Sequence, residues 1–485
     1  MNPRAIIAQW SAAGQEQLFA HWADRPQDAR RRLLADLAAL DRRVVAELRD
    51  CLARGDPRAG VAGAAVAGDR AAIAGDRAAV AGYRLRAGIT PLPAVSLAEW
   101  RGNPEARQAG EELIASGRTA HLTVAGGQGS RLGWEGSKGC FPISPIRKAS
   151  LFQIFAEKIL AARRRFGSPQ RWYVMTSPLN HGETLEFFRA NDFFGLPPEE
   201  VSLFRQGLLP TLTPEGRLLL AEDGGLAQNP TGHGGILEAL RTAGLTESLE
   251  EAGVEELFYF QVDNPLVRLP DAEFVGLHRL RAAEMSSKVI PRAYPEERLG
   301  VPGLIDGRPG VIEYSDLDPE SMQARTAAGA LLFPHGSIAI HVLSTAFAAR
   351  VPLPLPLHLA RKRVRALIPQ PGGGRLEDLE AVKFESFIFD AIPLAANPQF
   401  LETAREEEFA PLKNATGVDS IAACVEGMVG LAAHWLEACG VEVPREGGKP
   451  KHRIEISPLF AADQETLKIR LGCTVNKIDE DTLFA

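Results

Sequence analysis

Cysteine is scarce in this chain of 485 residues and forms no pattern. Cys51, Cys140, Cys424, Cys439 and Cys473 stand far apart with no CxxC spacing, which excludes a zinc site of the usual spacing and a disulfide framework. Reduced thiols are expected. A run of about 18 uncharged apolar residues is missing too, and the opening MNPRAIIAQWSAAGQEQLF carries no basic leader followed by a long apolar stretch. The expectation is a soluble, cytoplasmic protein with no membrane partner. Positive charge is not in excess: the net charge is -7, which weighs against a nucleic-acid partner. Any phosphate binding must come from a local site.

The apolar content of 45% and charged content of 24% are ordinary for a globular protein, and the length predicts roughly two to four domains. From Ala5 to about Ala53 apolar residues recur at helical spacing, predicting two or three amphipathic helices. Between Gly60 and Arg86 a seven-residue repeat, VAGDRAA, IAGDRAA, VAGYRLR, starts at Val66, Ile73 and Val80. Glycine in each repeat costs a helix about 1 kcal/mol relative to alanine, so a surface insertion is expected. After Leu122 strand and helix patterns alternate. HLTVAGG, RWYVMTS, VSLFRQG and LFYFQVDNPLV read as strands, LFQIFAEKILAARRR and ETLEFFRAN as helices. Such alternation predicts an α/β fold, a Rossmann-like, mainly parallel sheet that binds ligands at the carboxyl ends of its strands. The Pro- and Gly-rich basic stretch from Leu357 to Gly374 reads as a connection or flap. Beyond Glu402, helices are followed by a tail read as strands, RIEISPLF and LKIRL. The resulting division is an N-terminal helical region over 1–110, an α/β core over 111–395 and a small strand-rich C-terminal domain over 396–485.

The first strand runs into a glycine loop, LTVAGGQGSRLGWEGSK, Leu122 to Lys138. The dinucleotide pattern GxGxxG fails because, counted from Gly127, its third glycine falls on Leu132. The GxxxxGK[ST] pattern fails because Ser137 precedes Lys138 and Gly139 follows it. What remains is GGxGSRLGxxxxK. Its glycines let backbone N–H groups approach anionic oxygens, and Arg131 and Lys138 bring cations to the same volume. This suits transfer at the α phosphorus of a nucleoside triphosphate whose β and γ phosphates leave together.

LTVAGGQGSRLG with Lys138 and LFQIFAEKI closely resembles the type 1 uridylyltransferases, the UDP-sugar pyrophosphorylases. Matching segments follow in order: WYVMTS, FFG at Phe193, FRQGLLP, GHGG at Gly232, QVDNPLV, GVIEYSDL, KFESFIFD, EFAPLKN and EISPL. KFESFIFD and EISPL are more similar to the eukaryotic-type UDP-N-acetylglucosamine pyrophosphorylases than to the UDP-glucose enzymes. The resemblance implies a nucleotidyltransferase core that converts UTP and a sugar 1-phosphate to a UDP-sugar and pyrophosphate with Mg2+, in nucleotide-sugar biosynthesis. Carried over by position, it implies that Gly126, Gly127, Gln206 and Gly232 face the uridine with His233 beside them. Arg131 and Lys138 would hold the departing pyrophosphate, Asp263 would bind the metal, and Lys413 would reach the sugar-side phosphate. Asn264, Glu313, Ser337, Phe387 and Phe389 would line the sugar pocket. Without the resemblance, VDN at Val262 to Asn264 could equally be an Asx turn closing a strand, and alternating aromatics on a strand are more often core.

Three departures from the family pattern matter. Ser137 stands where proline usually precedes the loop lysine, His233 where the acetamido-sugar enzymes carry Asn, and PHGS, Pro334 to Ser337, where they carry NAGN. The last replaces amides able to recognise sugar groups by a ring and a hydroxyl. That departure weighs against strong selectivity for an acetamido sugar, while KFESFIFD and EISPL keep N-acetylglucosamine 1-phosphate as the leading expected substrate. Glucose 1-phosphate, N-acetylgalactosamine 1-phosphate and a non-catalytic nucleotide-sugar-binding regulator are the alternatives. Oligomeric state is left open, a monomer being compatible with the sequence.

Overall fold

The computed structural model describes residues 2–54, 89–314, 317, 319–472 and 475–485; the seven-residue repeat and Cys473 lie outside them. The described chain falls into two compact units, each discontinuous in sequence. The first joins the N-terminal segment to 206–238 and 351–391, and the second holds the rest. Contacts thus cut across the consecutive division at 110 and 395 expected from sequence.

The elements used below are, in chain order, strands β1 Thr119–Val124, β2 Arg171–Thr176, β3 Val201–Arg205, β4 Glu256–Gln261, β5 Met285–Pro291, β6 His335–Ser344, β7 Leu357–Gln370, β8 Gly373–Ser386 and β9 Gln399–Glu402. The helices are α1 Pro3–Ala12, α2 Gln27–Ala39, α3 Arg42–Arg54, α4 Leu151–Phe166, α5 His181–Ala190, α6 Ile421–Ala438 and α7 Gln464–Leu471.

In the first unit, α1 to α3 bury Ile6, Trp10, Leu33, Leu37, Val45 and Leu48 in one core with Leu357, Val382 and Phe384 of the hairpin β7–β8. The hairpin corrects the sequence reading of Leu357 to Gly374 as a connection or flap. Leu357 to Gln370 pair without a break against Ser386 to Gly373. The Pro371–Gly372 dipeptide, with Gly372 at φ +82°, has the proline-then-glycine signature of a type II turn, so its composition marks a tight reversal. Arg363 opposite Glu380 and Arg365 opposite Asp378 add cross-strand charge pairs.

The second unit is built on a seven-stranded sheet in the order β9-β5-β6-β4-β1-β2-β3. The pairs β4–β1, β1–β2, β2–β3 and β9–β5 are parallel, and β6 runs antiparallel to both neighbours. The sheet is therefore mixed but mostly parallel. β1 and β4 are buried along all but their last residue, as strands covered on both faces are; β4 carries the apolar run LFYF, whereas β1 alternates Thr119, His121 and Thr123 with apolar residues. Helix α4 starts at Ser150, whose side chain accepts from the Gln153 N–H at 3.1 Å, and stops at Gly167, φ +68°. It buries Phe152, Phe155 and Ile159 in the core, each worth about 1.5–3 kcal/mol. A charged set is buried as well: Lys288 donates to Asp271 at 2.6 Å and to Glu408, and Arg101 pairs with the same two carboxylates at 3.1 and 3.0 Å. Burial opposes ionisation of Asp271, but Arg101 and Lys288 outweigh it and hold the carboxyl far below its ordinary range.

In the C-terminal part of this unit helix outweighs strand, against the strand-rich expectation. LKIRL lies in α7, where the Asp463 side chain caps the helix at the Thr466 N–H, 2.7 Å, and Leu467 and Leu471 fall on one buried face. Helix α6 is long and apolar enough by length and composition to cross a membrane, with mean hydropathy 1.2. Here Val429, Ala432, Ala433 and Leu436 pack against Ile454 and Leu467, and its outer side carries Glu426 and Glu437 paired with Lys449 and Arg445.

Candidate active site

In the second unit, β1 delivers the chain to the sheet's carboxyl edge, where the Ala125 N–H still bonds the Met175 carbonyl at 2.7 Å. The glycine loop then folds back on itself. Gly129 N–H reaches the Gly136 carbonyl at 2.9 Å, and Lys138 N–H reaches the Gly127 carbonyl at 3.1 Å. Gly136 sits at φ +122°, a conformation that favours glycine. Gly126 is buried and Gly127 exposed.

β4 ends one strand away, and the turn after it presents Asp263. The fold brings Lys138 and Asp263 together: Nζ lies 3.5 Å from Oδ2, with the side chains 17% and 13% exposed. Arg131 is exposed, and among the described residues it has no ion-pair partner. Lys413 belongs to the same neighbourhood through the backbone. Leu412 N–H bonds the Asp263 carbonyl at 2.8 Å, and Ala415 N–H bonds the Arg131 carbonyl at 3.1 Å. Lys413 Nζ is 3.4 Å from Asp419 and 5.8 Å from the centre of the Phe409 ring. Arg131, Lys138 and Lys413 thus come from segments stitched around Asp263. Beside the loop, burial, reinforced by Glu183, pushes the Cys140 thiol up to about 12, so it is an inert thiol rather than a nucleophile.

Asn264 is committed to the backbone. Its Nδ2 donates to the Glu408 carbonyl at 2.7 Å and its Oδ1 accepts from Ala410 N–H at 3.2 Å. The amide expected to touch sugar braces the Asp263 turn against the segment leading to Lys413. Glu313 and Ser337 are brought together around Gly300, whose carbonyl accepts from Ser337 N–H at 2.7 Å. A Cβ at Gly300 would stand 3.8 Å from Glu313 Oε2. In PHGS, His335 Nε2 is engaged by Glu402 at 2.9 Å, which leaves Ser337 as the group replacing an amide.

In the first unit, Gly232 and Gly234 let the GHGG segment lie directly on the end of β8; a Cβ at Gly232 would meet the Ser386 carbonyl oxygen at 2.5 Å. His233 Nδ1 accepts from Ile388 N–H at 3.2 Å, which puts the neutral ring's proton on Nε2. The His233 ring stacks on Phe387 at 5.1 Å, and Phe387 and Phe389 are 5.0 Å apart. The two phenylalanines do not alternate along a strand as the sequence suggested. β8 ends at Ser386, and Phe389 lies in the following 3-10 turn, Ile388–Leu394. His358, not singled out in the sequence, packs 4.4 Å from Phe387, with Nε2 2.8 Å from Asp390 Oδ2. Gln206 is buried, and its Oε1 has no hydrogen-bond partner among the described residues, an acceptor ready for an N–H donor from a ligand.

Comparison with known sequences decides the family. The pattern of the UTP–glucose-1-phosphate uridylyltransferase family matches residues 87–353. The chain belongs to this family. The UDP-N-acetylhexosamine pyrophosphorylase-like protein 1 of Homo sapiens is 35% identical over 96% of this chain and 94% of its own length. UDP-N-acetylglucosamine diphosphorylase 2 of Arabidopsis thaliana is 31% identical over 96% and 91%. Among solved structures, a putative UDP-N-acetylglucosamine pyrophosphorylase from Entamoeba histolytica superposes with a TM-score of 0.73 at 29% identity, over 82% of this chain and all of that one. Membership in the uridylyltransferase family makes the chain a UDP-sugar pyrophosphorylase, a nucleotidyltransferase with the mixed α/β fold of those enzymes.

Proposed function

We propose that this protein makes UDP-N-acetylglucosamine and pyrophosphate from UTP and N-acetylglucosamine 1-phosphate in the cytoplasm. The observation that carries the chemistry is the glycine loop closed on Lys138, with Asp263 within 3.5 Å of its ammonium. An oxygen of the sugar phosphate attacks the α phosphorus in line. The new P–O bond forms as the bond to the bridging αβ oxygen breaks, and pyrophosphate leaves with that electron pair. No covalent enzyme intermediate is needed. Arg131 and Lys138 stabilise the charge gathering on the departing oxygens, the glycine backbone approaches the nucleotide, and Lys413 steadies the sugar-side phosphate. Asp263 would hold Mg2+. Among the described residues no group of three or more potential ligands exists, which fits an ion held by one carboxylate together with substrate phosphate oxygens. When bound, Mg2+ supplies charge neutralisation at the phosphates.

Base recognition is assigned to Gly126, Gly127, Gln206, Gly232 and His233, with the buried Gln206 Oε1 as acceptor for the imide N–H of uracil. Phe387 and Phe389 suit an acetamido methyl, Glu313 and Ser337 suit sugar hydroxyls, and Asn264 serves by holding the Asp263 turn. Glucose 1-phosphate is the second reading, favoured by Ser337, whose single short hydroxyl replaces an Asn amide with two N–H donors and a separate carbonyl acceptor. A binding-only role is disfavoured by the joint presence of Arg131, Lys138 and Asp263. The test is pyrophosphate release with each of the four nucleoside triphosphates and N-acetylglucosamine 1-phosphate. UTP alone should support rapid release, and equal use of ATP would overturn the base assignment.

A further inference from the structure

We infer that Asn180, which precedes α5, and Glu183, in the first turn of α5, are positioning residues for the phosphate loop, and that Glu183 sets Lys138 through the backbone N–H of Ser137. The inference rests on the assignment of Lys138 to the leaving group. Asn180 is buried at 1% exposure and reaches both ends of the loop. Its Nδ2 points to the Ala125 carbonyl at 3.0 Å, the Gly127 carbonyl at 3.4 Å and Ser137 Oγ at 3.4 Å. Its Oδ1 accepts from Ser177 N–H at 2.8 Å and Ser177 Oγ at 3.1 Å, which fixes the amide's orientation. One turn on, the solvent-exposed Glu183 places both carboxylate oxygens on Ser137 N–H, at 3.2 and 3.1 Å. A carboxylate at the mouth of an anion-binding loop opposes phosphate binding by charge alone, so its place calls for a compensating role. The backbone bond beside Lys138 supplies one.

The conformation of Ser137 sharpens this. Its φ of -63° is the value a proline ring would impose, so proline would fit the backbone here but could not donate the N–H that Glu183 accepts. The loop needs this φ held fixed just before Lys138, and a ring or a carboxylate-bound N–H can each hold it. In this chain Glu183 does so, while Asn180 ties down the loop's start.

A double-mutant cycle tests the assignment. Glu183→Ala should lower kcat about 10-fold, with a smaller change in KM for UTP, the scale of a lost charge-assisted hydrogen bond that misplaces a catalytic cation. Amide exchange at Ser137 and Lys138 should rise while the melting temperature holds. Ser137→Pro removes both the N–H that Glu183 holds and the Oγ that Asn180 reaches, so it serves only as a background: in it Glu183→Ala should cost less than about twofold, because the N–H it served is gone. Equal losses in both backgrounds, or no loss in the parent, would overturn the inference. All ratios are taken against the parent with whichever sugar phosphate it uses, and the exchange readout needs no turnover. Misassignment of the substrate or of the reaction would therefore appear in the parent and not in the cycle.

Discussion

Replacing Lys138 by alanine removes the cation that this account places on the departing pyrophosphate. Its ammonium is largely enclosed, with the side chain 17% exposed, and lies 3.5 Å from Asp263. At about 4 Å and an effective dielectric of about 20, a full unit charge is worth about 4 kcal/mol. Only part of a charge moves onto the leaving oxygens in the transition state. A preorganised stabiliser of developing charge is typically worth about 2.7–4 kcal/mol, so kcat should fall roughly 100- to 1,000-fold. Because the pair with Asp263 is largely enclosed, with side chains 17% and 13% exposed, removing the lysine also leaves a carboxylate without its partner and can lower the melting temperature; the rate is therefore compared at a temperature where both proteins are folded. Lys138→Arg keeps the charge but moves it, and should recover part of the loss. The assay is initial pyrophosphate release at saturating UTP, sugar phosphate and Mg2+, with thermal melts in parallel. A kcat within threefold of the parent for a folded Lys138→Ala protein would refute the leaving-group role.

Asp263→Asn keeps size and hydrogen bonding but removes the charge, so activity should fall and the Mg2+ concentration for half-maximal rate should rise by about tenfold or more; an unchanged Mg2+ requirement would put the ion elsewhere. His121, fully buried in β1, has its imidazole pKa pushed down by burial from 6.5 to about 4, against a partial counter-effect of Gln170. The unfolded chain takes up this proton as pH falls through 6.5 and the folded chain resists it until about 4. The contribution is thus intact above the upper value and lost toward the lower, about 3 kcal/mol in all. Urea unfolding across this range should show a shallower acid loss for His121→Gln than for the parent, and identical slopes would contradict the buried neutral ring. Ser337→Asn should widen the preference for N-acetylglucosamine 1-phosphate over glucose 1-phosphate in kcat/KM, whereas a narrowed ratio would remove Ser337 from the sugar site.

The central sheet was legible in the sequence because its strands are unambiguous. WYVM and LFYF are short apolar and aromatic runs, and HLTV, though it carries His121 and Thr123, leads directly into the glycine loop that ends the strand. Helix α4 was legible in its 3.6-residue apolar period; the Ser150 cap shows in the structure. The β7–β8 hairpin did not, because one composition, rich in Pro, Gly and Arg, serves both a linker and a strand pair joined by a Pro-Gly turn. LKIRL misled in the same way: five residues fit a strand or a helix, and the capping Asp463 decides. The loop motif singled out Lys138, but its approach to Asp263, 125 positions away, depends on β1 and β4 being neighbours, which a linear pattern does not state. Asn180 and Glu183 left a fainter trace, an Asn at a helix start, because their partners are backbone groups with no side-chain signature. The discontinuous make-up of the two units is likewise set by contacts between distant segments.

The most direct test of the account is the ratio of kcat/KM for N-acetylglucosamine 1-phosphate to that for glucose 1-phosphate, measured with UTP and Mg2+ and following UDP-sugar and pyrophosphate together. The account predicts stoichiometric products and a ratio of about 10 to 200, the span that one well-fitted methyl group supplies. A ratio below one would contradict the choice of sugar, and the absence of UTP-dependent pyrophosphate with either sugar phosphate would contradict uridylyl transfer itself.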